Sequence, residues 1–232
     1  MLYGSSKFGS CASPQLRSIG DVEWLKDEAA AMVATVQGPP AHPCYFAATA
    51  LERGTLIFAD FVTIDGMAIA AEDIREFLSF YTSLPYRAAL ILHFDGPSLS
   101  LEADEARFWG LLTFLQTQSN RRPRTDYESK DWRFVFDDVD LFFNGHSPHY
   151  RQRKSRRAAL RPFVVVQTLS NLKGVSGDDQ TEPKVADRIR SAVDTYDAIH
   201  RSPYLNGKES DWRQFWLLDT NEADTRTCPL IS

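Results

Sequence analysis

Cysteine is scarce in this 232-residue chain, which contains only Cys11, Cys44 and Cys228. Three widely spaced thiols favour neither a disulfide framework nor a structural zinc site, so the sequence suggests a protein of the reducing cytoplasm. The first residues, MLYGSSKFGSCASPQLRS, lack the apolar core of a secretory signal. No apolar run reaches the roughly 18 residues that a membrane-spanning helix needs. We therefore expect a cytoplasmic protein with no membrane partner.

The sequence motifs of several common enzyme classes are also missing. The chain contains no GxGxxG, P-loop, GxSxG, HExxH or CxxC pattern. Their absence argues against nicotinamide-dependent dehydrogenases, nucleoside triphosphatases, hydrolases with a nucleophile elbow and the common zinc enzymes. The net charge is −5, so general binding of nucleic acid through a basic surface is not expected.

The composition is that of a globular protein with one large core. Hydrophobic residues make up 43% of the chain and charged residues 25%, and no linker-like segment divides it. We predict a loose N-terminal segment over residues 1–18, a single domain over 19–220 and a polar C-terminal tail over 221–232. Helices and strands alternate irregularly, which predicts an α+β (mixed α/β) fold with a central mixed sheet flanked by helices.

Apolar periodicity predicts the individual elements. Helices are expected at Val22–Val36, Ala71–Leu84, Ser100–Ser119 and Lys184–Ile199. Strands are expected at Thr55–Phe61, Arg87–Phe94, Trp132–Phe136, Val139–Phe143, Pro162–Leu169 and Trp212–Asp219. Asp137-Asp138 is a favourable turn dipeptide between two of these strands, which predicts that they pair.

One stretch, Phe142–Leu160, concentrates the residues with chemical potential. His146 and His149 precede a run of cations, which are Arg151, Arg153, Lys154, Arg156 and Arg157, followed by Arg161. Imidazole binds metals or moves protons, and clustered guanidinium groups bind carboxylates or phosphates. A helix beginning near Tyr150 would gather several of these cations on one face. The alternative is a pair of surface histidines in a turn, followed by a solvated charged face.

Three further candidates stand outside this stretch. Cys44 follows His42-Pro43 and precedes an apolar run, so it is either an iron-ligating or nucleophilic thiolate or a buried inert thiol. Glu105 is either a carboxylate for a cationic substrate or a charge that favours the start of its helix. His93 lies inside an apolar strand, which predicts a core histidine whose hydrogen bonds are satisfied.

Several short motifs follow one another in a recognisable order. They are His42-Pro43-Cys44-Tyr45-Phe46, Glu105 to Trp109, Trp132 to Phe134, Ser147-Pro148 to Arg156, Tyr196-Asp197, and Trp212 to Phe215. The HPCYF and SPxxxxRKSR motifs are the most specific, and the order of the motifs matters more than either. In this order the chain resembles the YqcI/YcgG family over roughly residues 20–220.

The resemblance implies an activity. Characterised members of that family are small heme proteins that hydroxylate a side-chain nitrogen of arginine or a related guanidino amino acid in the biosynthesis of natural products such as antibiotics. It therefore implies heme b (iron protoporphyrin IX), a guanidino amino-acid substrate, O2 or peroxide, and an electron donor. A dimer is one alternative for the oligomeric state.

The resemblance also implies roles around the heme. His149 is expected to be the axial iron ligand, and the alternatives are His146, Tyr150 and Cys44. Cationic side chains are expected to pair with the heme propionates, and those assigned are Arg153, Lys154 and Arg156.

For the substrate, the first choice of carboxylate facing the guanidinium is Glu105, followed by Asp60 or Asp137. Arg151 or Arg87 is expected to bind the α-carboxylate. Two other classes stay open: a heme-binding carrier or sensor without turnover, and a colourless protein that binds anions through its arginines.

Overall fold

The computed structural model describes residues 2–4, 17–18, 22–59, 62–63, 66–84, 88–172, 183–206 and 209–231. Six α-helices lie within these residues: α1 (Glu23–Gln37), α2 (Tyr45–Glu52), α3 (Met67–Phe80), α4 (Leu101–Gln118), α5 (Pro183–Tyr196) and α6 (Trp212–Phe215). The strands are β1 (Leu2–Gly4), β2 (Arg17–Ser18), β3 (Leu56–Ala59), β4 (Ala89–His93), β5 (Phe134–Phe136), β6 (Val139–His146) and β7 (Phe163–Thr168). The predicted α+β class is confirmed.

The seven described strands join one mixed sheet in the order β2-β1-β3-β4-β7-β6-β5. The β1–β2 and β3–β4 pairs are parallel, and the other neighbours are antiparallel. The predicted hairpin forms between β5 and β6. Its turn residues Asp137 and Asp138 have φ angles of 46° and 67°, a left-handed conformation that Asp tolerates better than most residues.

The two faces of the sheet are covered by different helices. Successive strand residues point to opposite faces, so Phe143 and Gly145 of β6 face one side while Asn144 and His146 face the other. On the first side, α3, α4 and α6 pack against the sheet in the largest apolar cluster. On the second side, α1, α2 and α5 pack against the sheet in two smaller clusters. The sheet thus separates a dense core from a second layer.

Helix α4 anchors the dense core. Ser100 caps its start, because its Oγ accepts a hydrogen bond from the backbone N–H of Ala103 at 3.1 Å. Glu102 and Asp104 stand in its first turn, where the helix dipole favours negative charge. The predicted helix is confirmed with nearly the predicted ends.

The prediction of a last strand at Trp212–Asp219 was wrong. Trp212–Phe215 is a short helix, and extended chain follows it. The buried residues show the reason: Trp212, Phe215 and Trp216 all lie in the dense core. Their spacing of three and four residues matches a helix turn, whereas a strand would turn alternate residues away from the core.

Residues 2–4 and the described residues after 220 take part in packing, whereas most of the predicted loose segment over 1–18 lies outside the described residues. Leu2–Gly4 is buried and pairs with β3. At the other end, Cys228 and Leu230 are buried. The Tyr127 hydroxyl donates a hydrogen bond of 3.0 Å to the Leu230 carbonyl. The dense core therefore extends beyond residue 220.

Glycine is required at position 145, where the side chain of Trp216 lies directly against the backbone of β6. A Cβ atom at Gly145 would stand 2.6 Å from Cζ3 of Trp216 and 3.1 Å from Cδ2 of Phe108. Neither ring has room to move in a fully packed core.

We predict that Gly145→Ala lowers the free energy of unfolding by about 1–3 kcal/mol because the core must shift to admit the methyl group. Gly110→Ala in α4 is the matched control, since its Cβ would meet only Cε of Met67, at 3.8 Å. It should raise stability by about 1 kcal/mol because alanine favours a helix. Urea unfolding measures both changes, and equal stabilities would contradict the packing argument.

Candidate functional site: an apolar cavity on one face of the sheet

A cavity of about 250 Å³ lies between the second face of the sheet and helices α1, α2 and α5. Its wall is mainly apolar and includes Met32, Val36, Phe46, Ala47, Ala50, Leu56, Ile91, Phe163, Val165, Ile189 and Val193. A shallower groove of about 350 Å³ shares Thr35, Arg157 and Ala159 with the cavity. The groove therefore continues from the cavity toward the surface.

Few polar side chains line the cavity, and the strand parity explains two of them. Asn144 and His146 of β6 point into it because they alternate with Phe143 and Gly145, which face the dense core. Other polar residues come from α1, the segment before α2, the cationic loop and β7: Glu28, Thr35, His42, Cys44, Ser155, Arg156, Arg157 and Gln167. The cavity thus combines an apolar wall with a small set of possible ligands.

Cys44 stands directly before the first residue of α2, with its thiol in the cavity wall. Burial raises the pKa of the Cys44 thiol, while the backbone N–H groups of Ala47 and Phe46 and the Arg156 guanidinium act in the opposite direction. A helix N-terminus and a nearby cation favour a thiolate. The Cys44 thiol therefore stays protonated unless it binds a metal ion. If it does, the helix start and Arg156 stabilise the resulting thiolate.

His42 fixes the position of Cys44. Its Nδ1 accepts a hydrogen bond of 3.2 Å from the backbone N–H of Cys44. The proton is therefore assigned to Nε2, which lies 3.2 Å from the Ser155 carbonyl and donates to it. Burial lowers the pKa of His42, so the ring is neutral at neutral pH. His42 is a positioning residue that ties the start of α2 to the cationic loop.

The cationic stretch after Tyr150 is a loop folded around two carboxylates, with one 3-10 turn at Lys154–Arg156. The carboxylate of Asp219 accepts hydrogen bonds of 2.8–2.9 Å from the backbone N–H groups of Arg151, Gln152 and Arg153. Asp197 accepts from both the N–H and the hydroxyl of Ser155, at 2.7 and 2.9 Å. The helix that we considered from near Tyr150 does not form, because only the short turn at Lys154–Arg156 is helical in this stretch.

Arg153 lies outside the cavity wall and is 1% exposed. Its guanidinium donates to the carbonyls of Leu218 and Thr220, the latter at 2.8 Å, and to Oδ1 of Asn221 at 2.6 Å. These groups leave little hydrogen-bonding capacity for a propionate. Arg153 therefore joins the loop to the chain after α6.

The other two predicted propionate partners remain near the cavity. Arg156 lines it, is 7% exposed and donates a 2.9 Å hydrogen bond to the Gln214 carbonyl. Burial lowers its pKa, and the nearby groups include Tyr150 and Cys44. Lys154 is exposed and lines the outer groove together with Arg157. Cations thus stand both inside the cavity and along its mouth.

His146 is the one histidine of the predicted pair that reaches the cavity. Its ring stacks on Phe163, with centroids 4.3 Å apart and planes 9° from parallel. Burial, the first cause, and the charges of Arg156 and His42 hold the pKa of His146 well below its ordinary value. The ring is therefore neutral at neutral pH, the form that binds metal ions or accepts a hydrogen bond.

His149 and Tyr150 do not line the cavity. The backbone N–H of His149 donates a hydrogen bond to the Ser147 hydroxyl, which itself donates to Asp104 of α4, on the opposite face of the sheet. The Tyr150 hydroxyl donates to the Leu217 carbonyl at 2.7 Å, and burial raises the pKa of Tyr150. The structure therefore brings together Cys44 and His146, and separates from them the residue we expected to bind iron.

The predicted substrate carboxylates also lie elsewhere. Glu105 accepts hydrogen bonds from Nε1 of Trp109, at 3.1 Å, and from Arg226. Asp137 accepts from Nε of Arg75 at 2.6 Å, in the β5–β6 turn. Each already has a partner on the protein. Asp60 and Arg87 fall outside the described residues, and Arg151 is exposed.

Sequence reasoning missed the carboxylate that does line the cavity. Glu28 of α1 is 5% exposed and stands 3.6 Å from Nε2 of His93, measured from its Oε2. The signal was available: Leu25, Glu28 and Met32 share one helix face by their spacing, so a charge occupies a position that the core should reserve for an apolar residue. Glu28 is therefore a candidate functional residue.

No group of three or more histidine, cysteine, aspartate or glutamate side chains within the described ranges could hold a bare metal ion. A porphyrin supplies four nitrogen ligands itself, so iron in heme needs only one protein ligand. An apolar wall, a thiol at a helix start, a neutral imidazole and cations at the mouth fit such a group. None of the described helices is long and apolar enough to cross a membrane.

These features define a protein with a mainly apolar cavity that is lined by two candidate iron ligands, Cys44 and His146. Comparison with known proteins agrees with this class: the profile of the YqcI/YcgG family matches residues 32–231. The chain belongs to the YqcI/YcgG family. It is also 24% identical over 211 residues to a protein of Streptomyces lavendulae named "Putative N(omega)-hydroxy-L-arginine synthase DcsA", covering 82% of this chain and 78% of that protein. No solved structure matches.

We predict that Arg153→Lys lowers the free energy of unfolding by about 2–4 kcal/mol, because an ammonium group cannot replace a fork of guanidinium hydrogen bonds at a buried site. The neighbouring exposed change Lys154→Ala is the control and should leave stability within about 0.5 kcal/mol of wild type. Chemical denaturation compares the two variants. Equal effects would contradict the structural role of Arg153.

The pH dependence of stability should reveal the ionisation of Glu28. Burial, the first cause, raises its pKa from 4.5 to about 7, against the opposing effect of Arg161, while Asp27 raises it further. The folded state thus holds a proton that the unfolded state has lost, so ionisation of Glu28 destabilises the fold as pH rises from about 4.5 to about 7. Above that range the destabilisation is constant.

We predict that Glu28→Gln removes this loss. Relative to wild type, the variant should gain about 1–3 kcal/mol between pH 5 and pH 8. Glu23→Gln in the same helix is the control, because the Glu23 side chain is 82% exposed. Urea unfolding across this pH range measures the difference, and parallel curves for wild type and Glu28→Gln would contradict the raised pKa.

Proposed function

We propose that this protein is a heme-dependent N-oxygenase that hydroxylates a side-chain guanidino nitrogen of L-arginine or a related amino acid. The observation that carries the proposal is the meeting of Cys44, His146 and Arg156 around one apolar cavity. Family membership and similarity to a protein named as an N(omega)-hydroxy-L-arginine synthase support the reaction. Biosynthesis of a natural product is the setting that this relationship suggests.

We propose Cys44 as the iron ligand in place of His149. Cys44 lines the cavity, lies at the start of α2, and is held by the His42 hydrogen bond to its backbone. Arg156 adds positive charge close to the sulfur. A thiolate donates electron density to heme iron and favours O–O bond cleavage, which is the chemistry that the group supplies when bound.

The remaining residues bind, orient and exclude water. The apolar side chains of α1, α2 and α5 would cover a bound macrocycle, and the cavity continues into the groove that holds Lys154 and Arg157. We propose that Lys154 pairs with a propionate at the mouth, where a carboxylate keeps contact with water. The Arg157 guanidinium instead holds the loop, because it donates to the carbonyls of Tyr150 and Arg151 at 2.6 and 2.8 Å. His146, a neutral imidazole in the cavity wall, is able to accept or donate a hydrogen bond near the reacting atoms.

The ligand assignment predicts a specific spectral change. Cys44→Ser should remove the red-shifted ferrous–CO band that thiolate-ligated heme proteins show, because a serine hydroxyl is a poor replacement for a thiolate. Cys228→Ser is the matched control, since Cys228 is also buried but lies in the dense core on the opposite face. Absorption spectra of dithionite-reduced, CO-treated protein measure both variants.

A Cys44→Ser spectrum identical to that of wild type would contradict the assignment and return the choice to His146 or His149. A wild-type protein that stays colourless when expressed with ample iron and heme precursor would contradict heme binding itself.

A heme-binding carrier or sensor is the alternative function, because it would use the same cavity without turnover. Mass spectrometry of a reaction containing L-arginine, a reductant and O2, or peroxide in their place, separates the two. An N-oxygenase yields an amino acid heavier by one oxygen atom, whereas a carrier leaves arginine unchanged while retaining its heme spectrum.

A further inference from the structure

A buried carboxylate and a buried imidazole adjoin the cavity at the end where His146 and Phe163 lie. Glu28 forms part of the wall, and His93 stands behind it, 0% exposed and 3.6 Å away. The rings of His93 and Phe163 are in contact, with centroids 5.6 Å apart, and Phe163 in turn stacks on His146. Glu28 therefore occupies the same end of the cavity as the candidate reacting region.

Hydrogen-bonding capacity at this end is not filled. Within the part of the chain that the structure describes, Oε1 of Glu28 and both ring nitrogens of His93 are buried without a hydrogen-bond partner. We had expected His93 to be a satisfied core histidine, and it is not. Unfilled polar groups of this kind are costly, so they persist where a ligand or a water molecule completes them.

Arg161 fills only part of this site, because its backbone N–H bonds the Glu28 carboxylate while Oε1 keeps no hydrogen-bond partner among the described residues. Its Nε lies 3.2 Å from Oε1 of Glu28, but without the geometry of a hydrogen bond, and its side chain is 39% exposed. Solvent screens a pair of this kind. The carboxylate can thus accept donors from a group inside the cavity.

We propose that Glu28, positioned by His93, is the residue that recognises the guanidinium group of the substrate. A guanidinium brings positively charged N–H donors to Oε1 of Glu28, the carboxylate oxygen that has no hydrogen-bond partner among the described residues, and this gives charge selectivity. This inference rests on the function proposed above and names the carboxylate that selects its substrate class. A buried water molecule at Oε1 is the competing explanation.

Calorimetric titration of the purified protein with L-arginine and L-citrulline tests the proposal. Citrulline replaces the guanidinium by a neutral urea group and keeps the rest of the molecule. Wild type should prefer arginine, and Glu28→Gln should bind arginine about ten- to one-hundred-fold more weakly because it loses a charge-assisted pair. Its affinity for citrulline should change by less than about threefold.

Two further variants make the result specific. Glu23→Gln carries the same substitution on the exposed side of α1 and should bind both ligands as wild type does. His93→Leu removes the imidazole behind Glu28 and should weaken arginine binding without affecting citrulline. Circular dichroism melting of each variant verifies that it folds before titration.

Proton release supplies a readout that a purely structural role of Glu28 would not change. Because the pKa of Glu28 is about 7, a bound guanidinium should displace up to about half a proton at pH 7. Titration in buffers of different ionisation enthalpy measures this release. Citrulline should release none, and neither ligand should release a proton from Glu28→Gln.

The outcomes distinguish the assignment of Glu28 from the proposed function. Tight arginine binding that Glu28→Gln leaves unchanged would overturn the assignment of Glu28, favour the water explanation and leave the proposed function standing. Failure of wild type to bind arginine or any other guanidino amino acid would overturn both. Loss of the preference for arginine over citrulline in Glu28→Gln, with proton release abolished, would establish the assignment.

Discussion

A relay of hydrogen bonds from Asp197 to Cys44 is the constraint on which the cavity depends. Asp197, just after α5, holds the backbone and hydroxyl of Ser155. The Ser155 carbonyl holds the ring of His42, and the other nitrogen of that ring holds the backbone of Cys44. Three separate parts of the chain thus meet at Cys44. The relay explains why a histidine stands two residues before the cysteine at the start of α2. It also explains why Tyr196-Asp197 belongs to the same pattern, since the Tyr196 ring contacts that of His42.

The cationic loop is stable because some of its charged side chains are buried and hydrogen-bonded while others are exposed to solvent. Backbone groups of the loop bind Asp219, while the guanidinium groups of Arg153 and Arg156 bond carbonyls near α6. Lys154 stays exposed along the outer groove. A run that would repel itself as a solvated helix becomes a wall between the cavity and the dense core. The cavity therefore depends on side chains that do not touch any ligand.

Local pattern predicted the elements well and the site only in part. The alternation in Val139–Phe143 and the spacing in Ser100–Ser119 gave a correct strand and a correct helix, because each depends on one buried face. His149 could not be placed from such a pattern, since it follows the end of β6 in a turn. Extending β6 by three residues would have shown that His146 and Gly145 face opposite sides of the sheet.

Contacts that join distant parts of the chain account for most of the remaining differences. The hydrogen bonds between Asp219 and residues 151–153 span more than sixty positions, so no local propensity predicts them. The same holds for Glu105, which is bonded to Arg226 in the segment that we expected to be a tail. Glu28 is different, because its position on the apolar face of α1 was visible in the sequence. A charged residue on such a face indicates a functional role.

The central claim is that Cys44 presents a thiolate to heme iron inside an apolar cavity. X-ray absorption at the iron edge of the purified protein tests it most directly, because a sulfur neighbour scatters differently from nitrogen. We predict one sulfur atom in the first coordination shell of iron in wild type, and no sulfur atom there in Cys44→Ser. A first shell made only of nitrogen and oxygen atoms in wild type would contradict it.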